Sequence, residues 1–308
     1  MRGAIYFFSK AMADVTKREL RYRVSGRMDL AADVYGAPEN PPVILMHGGG
    51  QTRHAWGSTA ETLAAAGFYA LSLDLRGHGD SHWCSESDYS IEAYVEDLWA
   101  VVQTLDQPPA LVGASLGGMV SMAFEGEIHP GASAAVVLVD ITPRIERAGV
   151  DRIVEFMTAN PEGYESLEDA ARAIREYLPH RRRPKNLDGL AKNLRQGEDG
   201  RYRWHWDPAF LSQAARRGER PNVPNRLQDA AANLRAPTLL VRGRMSDIVS
   251  EDTAREFLEC VPHAEFVDVA DAAHMVAGDQ NDVFADAVVG FLTQVIDHQS
   301  REQSRKAG

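Results

Sequence analysis

Cysteine is scarce in this sequence of 308 residues, in which Cys84 and Cys260 are the only two. They lie far apart and form neither a CxxC motif nor a metal-binding spacing, which favours two free thiols in a reducing compartment. Basic residues are also in short supply: 33 Lys and Arg stand against 44 Asp and Glu, for a net charge of −11. That balance argues against a nucleic-acid binder or a protein that binds anionic membranes.

Long hydrophobic runs are absent as well. No segment approaches the length of about 20 apolar residues that a membrane span needs, and the apolar residues 4–8 are too few for a signal-peptide core. Neither a Walker lysine motif nor a GxGxxG motif is present, which argues against a phosphate-binding loop. The basic run at residues 180–183 is interpreted as a solvated loop. These absences together predict a soluble, cytoplasmic protein.

The most informative stretch reads Gly-Ala-Ser-Leu-Gly at residues 113–117. An apolar segment of strand type precedes it, and the apolar residues 119–124 that follow predict a buried helix. A strand, a sharp turn with serine at its apex and a helix make a nucleophile elbow. Ser115 must adopt a strained backbone conformation there, and glycines two positions away on either side avoid collisions. Leu116 then presents its amide at a helix N-terminus, where a developing oxyanion is stabilised.

Strands and helices alternate on both sides of the elbow. Two short segments at residues 20–24 and 30–35 predict an antiparallel hairpin. Further strands are predicted at residues 43–46, 70–75, 109–112, 135–140, 237–241 and 265–269. Helices are predicted at residues 55–66, 91–105, 251–260 and 283–296. This order predicts an α/β fold with an open, mostly parallel sheet that is covered on both faces.

The alternation is interrupted in the second half of the chain. Helical patterns rich in Arg and Glu occupy residues 150–159, 167–178 and 187–195, and the aromatic run Tyr-Arg-Trp-His-Trp follows at residues 202–206. We interpret residues 142–225 as a helical cap inserted after the sixth strand, and residues 18–141 and 226–298 as the core domain. Residues 1–17 and 299–308 are predicted to be loosely ordered termini.

Four motifs in this order resemble those of the α/β-hydrolase superfamily. They are His-Gly-Gly-Gly at residues 47–50, Asp-Leu-Arg-Gly-His-Gly-Asp-Ser at residues 74–81, the Ser115 elbow, and a late Asp and His. The resemblance covers about residues 20–294 and is strongest to capped serine hydrolases of the esterase and meta-cleavage-product hydrolase type. It overlaps with cofactor-free haloperoxidases and epoxide hydrolases. Epoxide hydrolases and haloalkane dehalogenases, however, carry Asp at the elbow, where this chain has Ser115.

The resemblance implies a catalytic triad in the chain order serine, acid, histidine. His274, in a loop after the final predicted strand, is implied as the general base for Ser115. Asp247, in the loop after the strand at residues 237–241, is implied as the acid that orients the imidazole. Asp140, at the end of the preceding strand, is the alternative acid, because some members of the superfamily place it there.

The glycine-rich loop is implied to complete the oxyanion hole. By resemblance the N–H of Gly49, two residues after His47, joins the N–H of Leu116, with Gly50 as the substitute donor or as a residue of the substrate pocket. Glycines let this backbone approach a substrate carbonyl closely. His47 in the glycine-rich loop is interpreted as a structural brace, and so are Arg76 and His78 in the motif at residues 74–81.

Three tryptophans are candidates for the substrate pocket. Trp204 and Trp206 alternate along an extended part of the predicted cap, and Trp56 follows the glycine-rich loop. Aromatic residues in such positions also fill small cores. Both interpretations therefore stand for each of the three side chains.

The sequence predicts hydrolysis of a small to medium carboxylic ester or lactone through an acyl-enzyme, without a metal or organic cofactor. The alternatives are C–C bond hydrolysis of a meta-cleavage-type diketone, perhydrolase or haloperoxidase activity, and a non-catalytic small-molecule receptor. The predicted partner is the small-molecule substrate. Nucleic acid and membrane are not expected partners, and a homodimer is left open.

Overall fold

Eight strands form one sheet in the computed structural model, which describes residues 15–25, 28–177, 187–211, 223–270, 272 and 284–307. They are β1 (Arg18–Arg23), β2 (Asp29–Tyr35), β3 (Pro42–Met46), β4 (Tyr69–Leu73), β5 (Ala110–Ala114), β6 (Ala135–Val139), β9 (Thr238–Gly243) and β10 (Glu265–Val269). Their order is β1-β2-β4-β3-β5-β6-β9-β10. The first two strand pairs are antiparallel and all later pairs are parallel. The predicted hairpin and the mostly parallel sheet are both confirmed.

Helices cover both faces of this sheet. They are α1 (Gly57–Ala65), α2 (Ile91–Val102), α3 (Leu116–Ala123), α7 (Val223–Ala232), α8 (Glu251–Cys260) and α9 (Ala285–Ala307). Helices α1 and α9 pack on one face, and α2, α3, α7 and α8 pack on the other. The six inner strands, β2 to β6 and β9, contribute to both cores because successive side chains point to opposite faces. In β3, for example, Val43 and Leu45 belong to the core beneath α1 and α9. Ile44 and Met46 belong to the core on the opposite face of the sheet.

Serine caps set two of the helix starts. The Ser90 hydroxyl accepts a hydrogen bond of 3.2 Å from the Ala93 amide, and the Ser250 hydroxyl accepts one of 3.2 Å from the Thr253 amide. Each bond satisfies one of the amides that a helix N-terminus leaves without a backbone partner. Both helices therefore begin directly after a capping serine.

The segment predicted as a cap, residues 142–225, lies between β6 and β9. We call it the insert. Its described elements are α4 (Arg147–Thr158), α5 (Leu167–Tyr177), the short helix α6 (Asp188–Ala191) and the hairpin β7 (Leu194–Gln196) and β8 (Tyr202–Trp204). The prediction of one helix over residues 187–195 is wrong. The chain turns at Gly200, whose φ is 78°, and pairing across this turn outweighs the helical pattern of the first strand.

Two further boundaries differ from the sequence prediction. Helix α7 begins at Val223 and packs on α3, so the predicted end of the cap at residue 225 falls within one helix. Helix α9 continues to Ala307, where a loosely ordered tail is predicted from residue 299. The tail contains Arg, Glu, Gln, Lys and Ala, which are strong helix formers, and this composition accounts for the extension.

Several predicted features lie outside the described residues. They are residues 1–14, the basic run at residues 180–183 and His274. Among the residues that are described, Cys84 and Cys260 are free thiols, as predicted. Within the same ranges, no helix combines the length and the hydropathy that crossing a membrane requires.

Candidate active site

Ser115 stands at the carboxyl end of β5 and immediately before α3. Its φ of 45° and ψ of −106° are strained for a residue with a side chain. A Cβ atom added to Gly113 would lie 2.2 Å from the carbonyl carbon of Gly117, and one added to Gly117 would lie 2.5 Å from the Met46 carbonyl oxygen. Only glycine fits at either position. The predicted strand, sharp turn and helix are confirmed, and Ser115 is left half-buried at the apex of the turn.

The glycine-rich loop after β3 lies directly against the elbow. The Gly117 amide donates a hydrogen bond of 3.2 Å to the His47 carbonyl oxygen. A Cβ atom added to Gly48 would lie 3.4 Å from the Ser115 Cβ atom. The loop and the serine therefore form one continuous surface at the edge of the sheet.

Two amides on this surface are suited to bind an oxyanion. Among the described residues, the N–H groups of Gly49 and Leu116 have no hydrogen-bond partner. Gly50 differs, because its N–H donates to His78 Nε2 at 3.1 Å. The geometry favours Gly49 over Gly50 as the second donor beside Leu116. An unpartnered amide close to the nucleophile is the group that an acyl-transfer site needs.

His47 and His78 hold the loops around the serine in place. His47 Nε2 accepts from the Leu75 amide at 3.0 Å, and its Nδ1–H donates to the Gly48 carbonyl oxygen at 2.7 Å. The Nδ1–H of His78 donates to the Arg76 carbonyl oxygen at 3.0 Å. Burial lowers the pKa of His47 to about 4 and the pKa of His78 to about 3. Both rings are therefore neutral at pH 7, and both serve as braces.

Asp74 is the central hydrogen-bond acceptor of the polar motif that follows β4. Its fully buried carboxylate accepts from the Arg53 amide at 2.6 Å and from the Asp80 amide at 2.9 Å. The Arg53 guanidinium also donates to it and makes an ion pair with Asp33 at 2.9 Å. A Cβ atom added to Gly79 would lie 2.2 Å from this carboxylate. The motif builds a rigid turn and contributes no reactive group.

Asp140 is buried next to the elbow. It follows β6 directly with a φ of 52°, and its side chain is almost fully shielded from solvent. The carboxylate accepts from the Gly243 amide at 3.1 Å and from the Ser246 hydroxyl at 2.8 Å. The residue before it, Val139, accepts the amide hydrogen of Ser115 at 3.2 Å. The backbones of Ser115 and Asp140 are therefore neighbours across two adjacent strands.

Asp247 lies four residues beyond the end of β9 and faces the insert. Its carboxylate makes an ion pair of 2.7 Å with Arg152 on α4, and 32% of its side chain is exposed. Burial raises the pKa of Tyr177 on α5 to about 12, and the Asp247 charge adds to that shift. The two carboxylates that the sequence leaves as candidate acids thus have very different surroundings.

His274 lies outside the described residues, and Ala272 is the described residue nearest to it in the sequence. Ala272 accepts the Met245 amide hydrogen at 2.8 Å. A Cβ atom added to Gly243 would lie 2.7 Å from the Ala272 carbonyl oxygen. Gly243 is also the residue whose amide donates to Asp140.

The predicted pocket tryptophans occupy two different regions. Trp56 is fully buried in the core between the sheet and helices α1 and α9, which accounts for it without a pocket. Trp204 packs on Phe156 and Tyr164 of the insert, with ring centroids 6.0 Å and 5.8 Å away. Trp206 pairs through its backbone with His78, one of the loop braces.

Phe210 is a wall of the site for which the sequence contains no signal. A Cβ atom added to Gly49 would lie 3.0 Å from the Phe210 ring. The ring also packs edge-on against His78, with centroids 4.9 Å apart. It occurs in an ordinary Asp-Pro-Ala-Phe run at residues 207–210, so no motif distinguishes it. The insert thereby contacts the glycine-rich loop directly.

Comparisons with known proteins agree with this geometry. A family model described as the alpha/beta hydrolase fold matches residues 41–280. Esterase Rv0045c of Mycobacterium tuberculosis is 30% identical over 265 residues, covering 82% of this chain and 83% of the relative. The 3-hydroxybutyrate-oligomer hydrolase of Cupriavidus necator is 26% identical over 269 residues, covering 81% and 88%. The crystal structure of E-2-(acetamidomethylene)succinate hydrolase superposes with a TM-score of 0.77 at 24% identity, covering 90% of this chain and all of the other.

Proposed function

The chain belongs to the alpha/beta-hydrolase family and is a hydrolase that acts on esters, and we propose that it cleaves small to medium carboxylic esters or lactones through an acyl-enzyme on Ser115. One observation carries this proposal. A serine in a strained elbow lies against a glycine-rich loop, and the Gly49 and Leu116 amides beside it have no partner among the described residues. Nucleophile and oxyanion donors are thus present together.

The reaction follows from these positions. Ser115 Oγ attacks the ester carbonyl carbon while His274, the proposed general base, accepts the hydroxyl proton. The amides of Gly49 and Leu116 donate to the oxyanion of the tetrahedral intermediate. Collapse of this intermediate breaks the bond to the alkoxide, which takes the proton from His274. Water, deprotonated by the same histidine, then attacks the acyl-enzyme. The bond to Ser115 Oγ breaks, the serine takes the proton back from His274, and the acid is released.

The insert supports a limit on substrate size. Phe210 covers the Gly49 side of the loop, and Met157 of α4 is buried in the core. We propose that the insert roofs Ser115 and encloses a mostly apolar cavity, which excludes water and long chains. The names of the two sequence relatives, an esterase and a 3-hydroxybutyrate-oligomer hydrolase, support an ester substrate.

Two carboxylates qualify as the third member of the triad. Asp247 occupies the place that the resemblance implies, and Asp140 stands at the end of the neighbouring strand. The proposed reaction needs one of them to orient His274 and to stabilise its imidazolium form.

Removal of the nucleophile tests the proposal. Ser115→Ala is expected to fold normally and to lose on the order of a millionfold in kcat for an aryl ester, as loss of a triad serine does elsewhere. The parent protein is expected to react with a fluorophosphonate probe, and the variant is not. A parent that neither labels nor turns over aryl esters would support the receptor alternative. A fully active Ser115→Ala variant would contradict the assignment of Ser115.

A further inference from the structure

We infer that Tyr89 and Asp207 form a positioning pair for Phe210. The hydrogen bond between them holds the Phe210 ring over Gly49 and thereby sets the largest acyl group that the site accepts. This inference rests on the proposed function, because it concerns the substrate of the same site. Three observations carry it.

The first observation is that three groups enclose the Phe210 ring. It lies 3.0 Å from the position that a Cβ atom added to Gly49 would take. It packs edge-on against His78 and Tyr89, with ring centroids 4.9 Å and 6.2 Å apart. Only 6% of Phe210 is exposed. An acyl group whose carbonyl oxygen reaches the Gly49 amide must therefore fit beside this ring.

The second observation is that Asp207 begins the helical turn at residues 208–211, which carries Phe210. One oxygen of its carboxylate accepts from the Ala209 amide at 2.9 Å, and its carbonyl oxygen accepts from the Phe210 amide at 2.9 Å. A carboxylate that accepts from the first amides of a helical turn fixes where that turn starts. The direction of the Phe210 side chain thus depends on the orientation of the Asp207 carboxylate.

The third observation is that Tyr89 binds the second oxygen of this carboxylate. Its hydroxyl donates to Asp207 Oδ2 and accepts from the Cys84 amide at 3.1 Å. The tyrosine is fully buried, and a Cβ atom added to Gly77 would lie 2.4 Å from its ring. Burial, followed by the hydrogen bond to Asp207, raises the pKa of Tyr89, so the phenol keeps its proton and remains the donor. Tyr89 is therefore a rigid support for the carboxylate.

The backbone contacts of the same segment hold a different part of it. The Asp207 amide donates to the Gly77 carbonyl oxygen at 2.8 Å, and the Gly79 amide donates to the His205 carbonyl oxygen at 2.8 Å. These two bonds fix the chain before the helical turn. Beyond Asp207, the bond from Tyr89 is the link that ties the orientation of the turn to the loop after β4. Hydrogen bonds to a carboxylate are among the stronger ones in proteins.

The ratio of kcat/KM for a hexanoyl and an acetyl aryl ester tests the inference. Tyr89→Phe removes the hydroxyl oxygen and keeps the ring that packs on Phe210. We expect this ratio to rise about fourfold, because the turn can then move away from Gly49 and leave room for the longer chain. For the acetyl ester the change should fall on KM more than on kcat, since the ring position affects binding and the reacting groups stay in place.

Asp207→Asn is the second variant, and it makes the test independent of how well Tyr89→Phe folds. Asparagine still offers one oxygen to the Ala209 amide and caps a helical turn well, but it cannot accept at both positions as a carboxylate does. The ester ratio should therefore rise in this variant too, while Tyr89 itself is unchanged.

A double substitution separates positioning from stability. In a Phe210→Ala background the ring is gone, so adding Tyr89→Phe should change the ester ratio by less than about 1.5-fold. Tyr164→Phe is the matched control. The Tyr164 hydroxyl accepts from the Asn160 side chain at 3.3 Å, and its ring packs against Trp204 within the insert. This variant should leave the ester ratio at the parent value, whatever its melting temperature.

Each outcome decides for or against the positioning pair. A raised ratio in Tyr89→Phe or Asp207→Asn that disappears in the Phe210→Ala background supports it. An unchanged ratio in both single variants, an equal rise without the Phe210 ring, or the same rise in Tyr164→Phe would overturn it. Fluorophosphonate labelling of the parent keeps this test apart from the proposed function. An unlabelled parent rejects the acyl-enzyme itself, whereas a labelled parent with an unchanged ratio in both single variants rejects only the pair.

Discussion

The carboxyl edge of the sheet and the insert differ in the ion pairs that stabilise each of them. At the edge, ion pairs are buried: Arg76 meets Asp97 at 2.6 Å with 3% and 2% of the side chains exposed. In the insert they are exposed, and Arg203 meets Asp199 at 2.6 Å with 40% and 47% exposed. Buried charges cannot lose a partner without a large cost, whereas exposed pairs contribute about 0–1 kcal/mol. The edge is therefore intolerant of change, and the insert can vary.

In the proposed reaction, this difference assigns the catalytic step to the edge of the sheet and the choice of substrate to the insert. The groups that Ser115 needs are fixed by backbone, by glycine and by neutral histidine, all of which belong to the edge. The insert contributes aromatic walls such as Phe210, which contact these groups without holding them. Variation in the insert can therefore alter which ester is accepted while the reacting groups keep their geometry.

The largest effect is expected when the edge gains a single methyl group. Gly113→Ala would place a Cβ atom 2.2 Å from the Gly117 carbonyl carbon, and neither backbone can move without displacing the elbow. We expect the free energy of unfolding to fall by about 3 kcal/mol or more, with loss of ester turnover. Chemical denaturation and an aryl-ester assay measure both effects.

Gly290→Ala is the matched control, because no atom lies within 4 Å of the position where its Cβ would be. It lies within α9, where alanine is favoured over glycine by up to about 1 kcal/mol. The control should be as stable as the parent or more so. Equal stability of the two alanine variants would show that the edge is no tighter than the rest of the molecule.

Sequence alone predicts the edge well because its determinants are local. Apolar runs specify the strands, and the glycines flanking Ser115 specify the elbow. The surroundings of Asp140 and Asp247 are a different problem, since they depend on Ser246 and Arg152, which lie about 100 residues from the carboxylates they contact. Phe210 belongs to no motif, and only tertiary contacts bring it to Gly49.

The second expected effect is a loss of stability in mild acid. In the folded protein the pKa of His47 is about 4 and that of His78 about 3, compared with 6.5 for an unburied histidine. The unfolded chain therefore binds protons first as the pH falls, so the stabilisation is complete above about pH 6.5 and is lost below it. Each histidine should cost about 2 kcal/mol between pH 7 and pH 5.

Denaturant titrations at the two pH values measure this loss. His78→Gln removes one of these contributions, so its free energy of unfolding should change by about 2 kcal/mol less than that of the parent between pH 7 and pH 5. A parent whose free energy of unfolding is the same at pH 5 and pH 7 would show that the edge does not depend on neutral histidine.

The smallest effect is expected in the insert. Phe210→Ala would open the space above Gly49, and kcat/KM for a long-chain aryl ester should rise about tenfold relative to the acetyl ester. Phe156→Ala is the control, because this ring stacks on Tyr177 within the insert, with centroids 4.5 Å apart. It should lower the melting temperature without changing the order of the substrates. Unchanged selectivity in Phe210→Ala would mean that another wall limits the acyl chain.

The segment after β8 has a consequence for exchanging inserts between related enzymes. The Gly79 amide donates to the His205 carbonyl oxygen at 2.8 Å, and the Asp207 amide donates to the Gly77 carbonyl oxygen at 2.8 Å. Between these two bonds, His78 holds the Gly50 amide. A transplanted insert would have to bring a strand that fits residues 77–79, or the host loop would have to travel with it. A chimaera therefore has to exchange the insert together with the loop after β4, although these two segments are distant in the sequence.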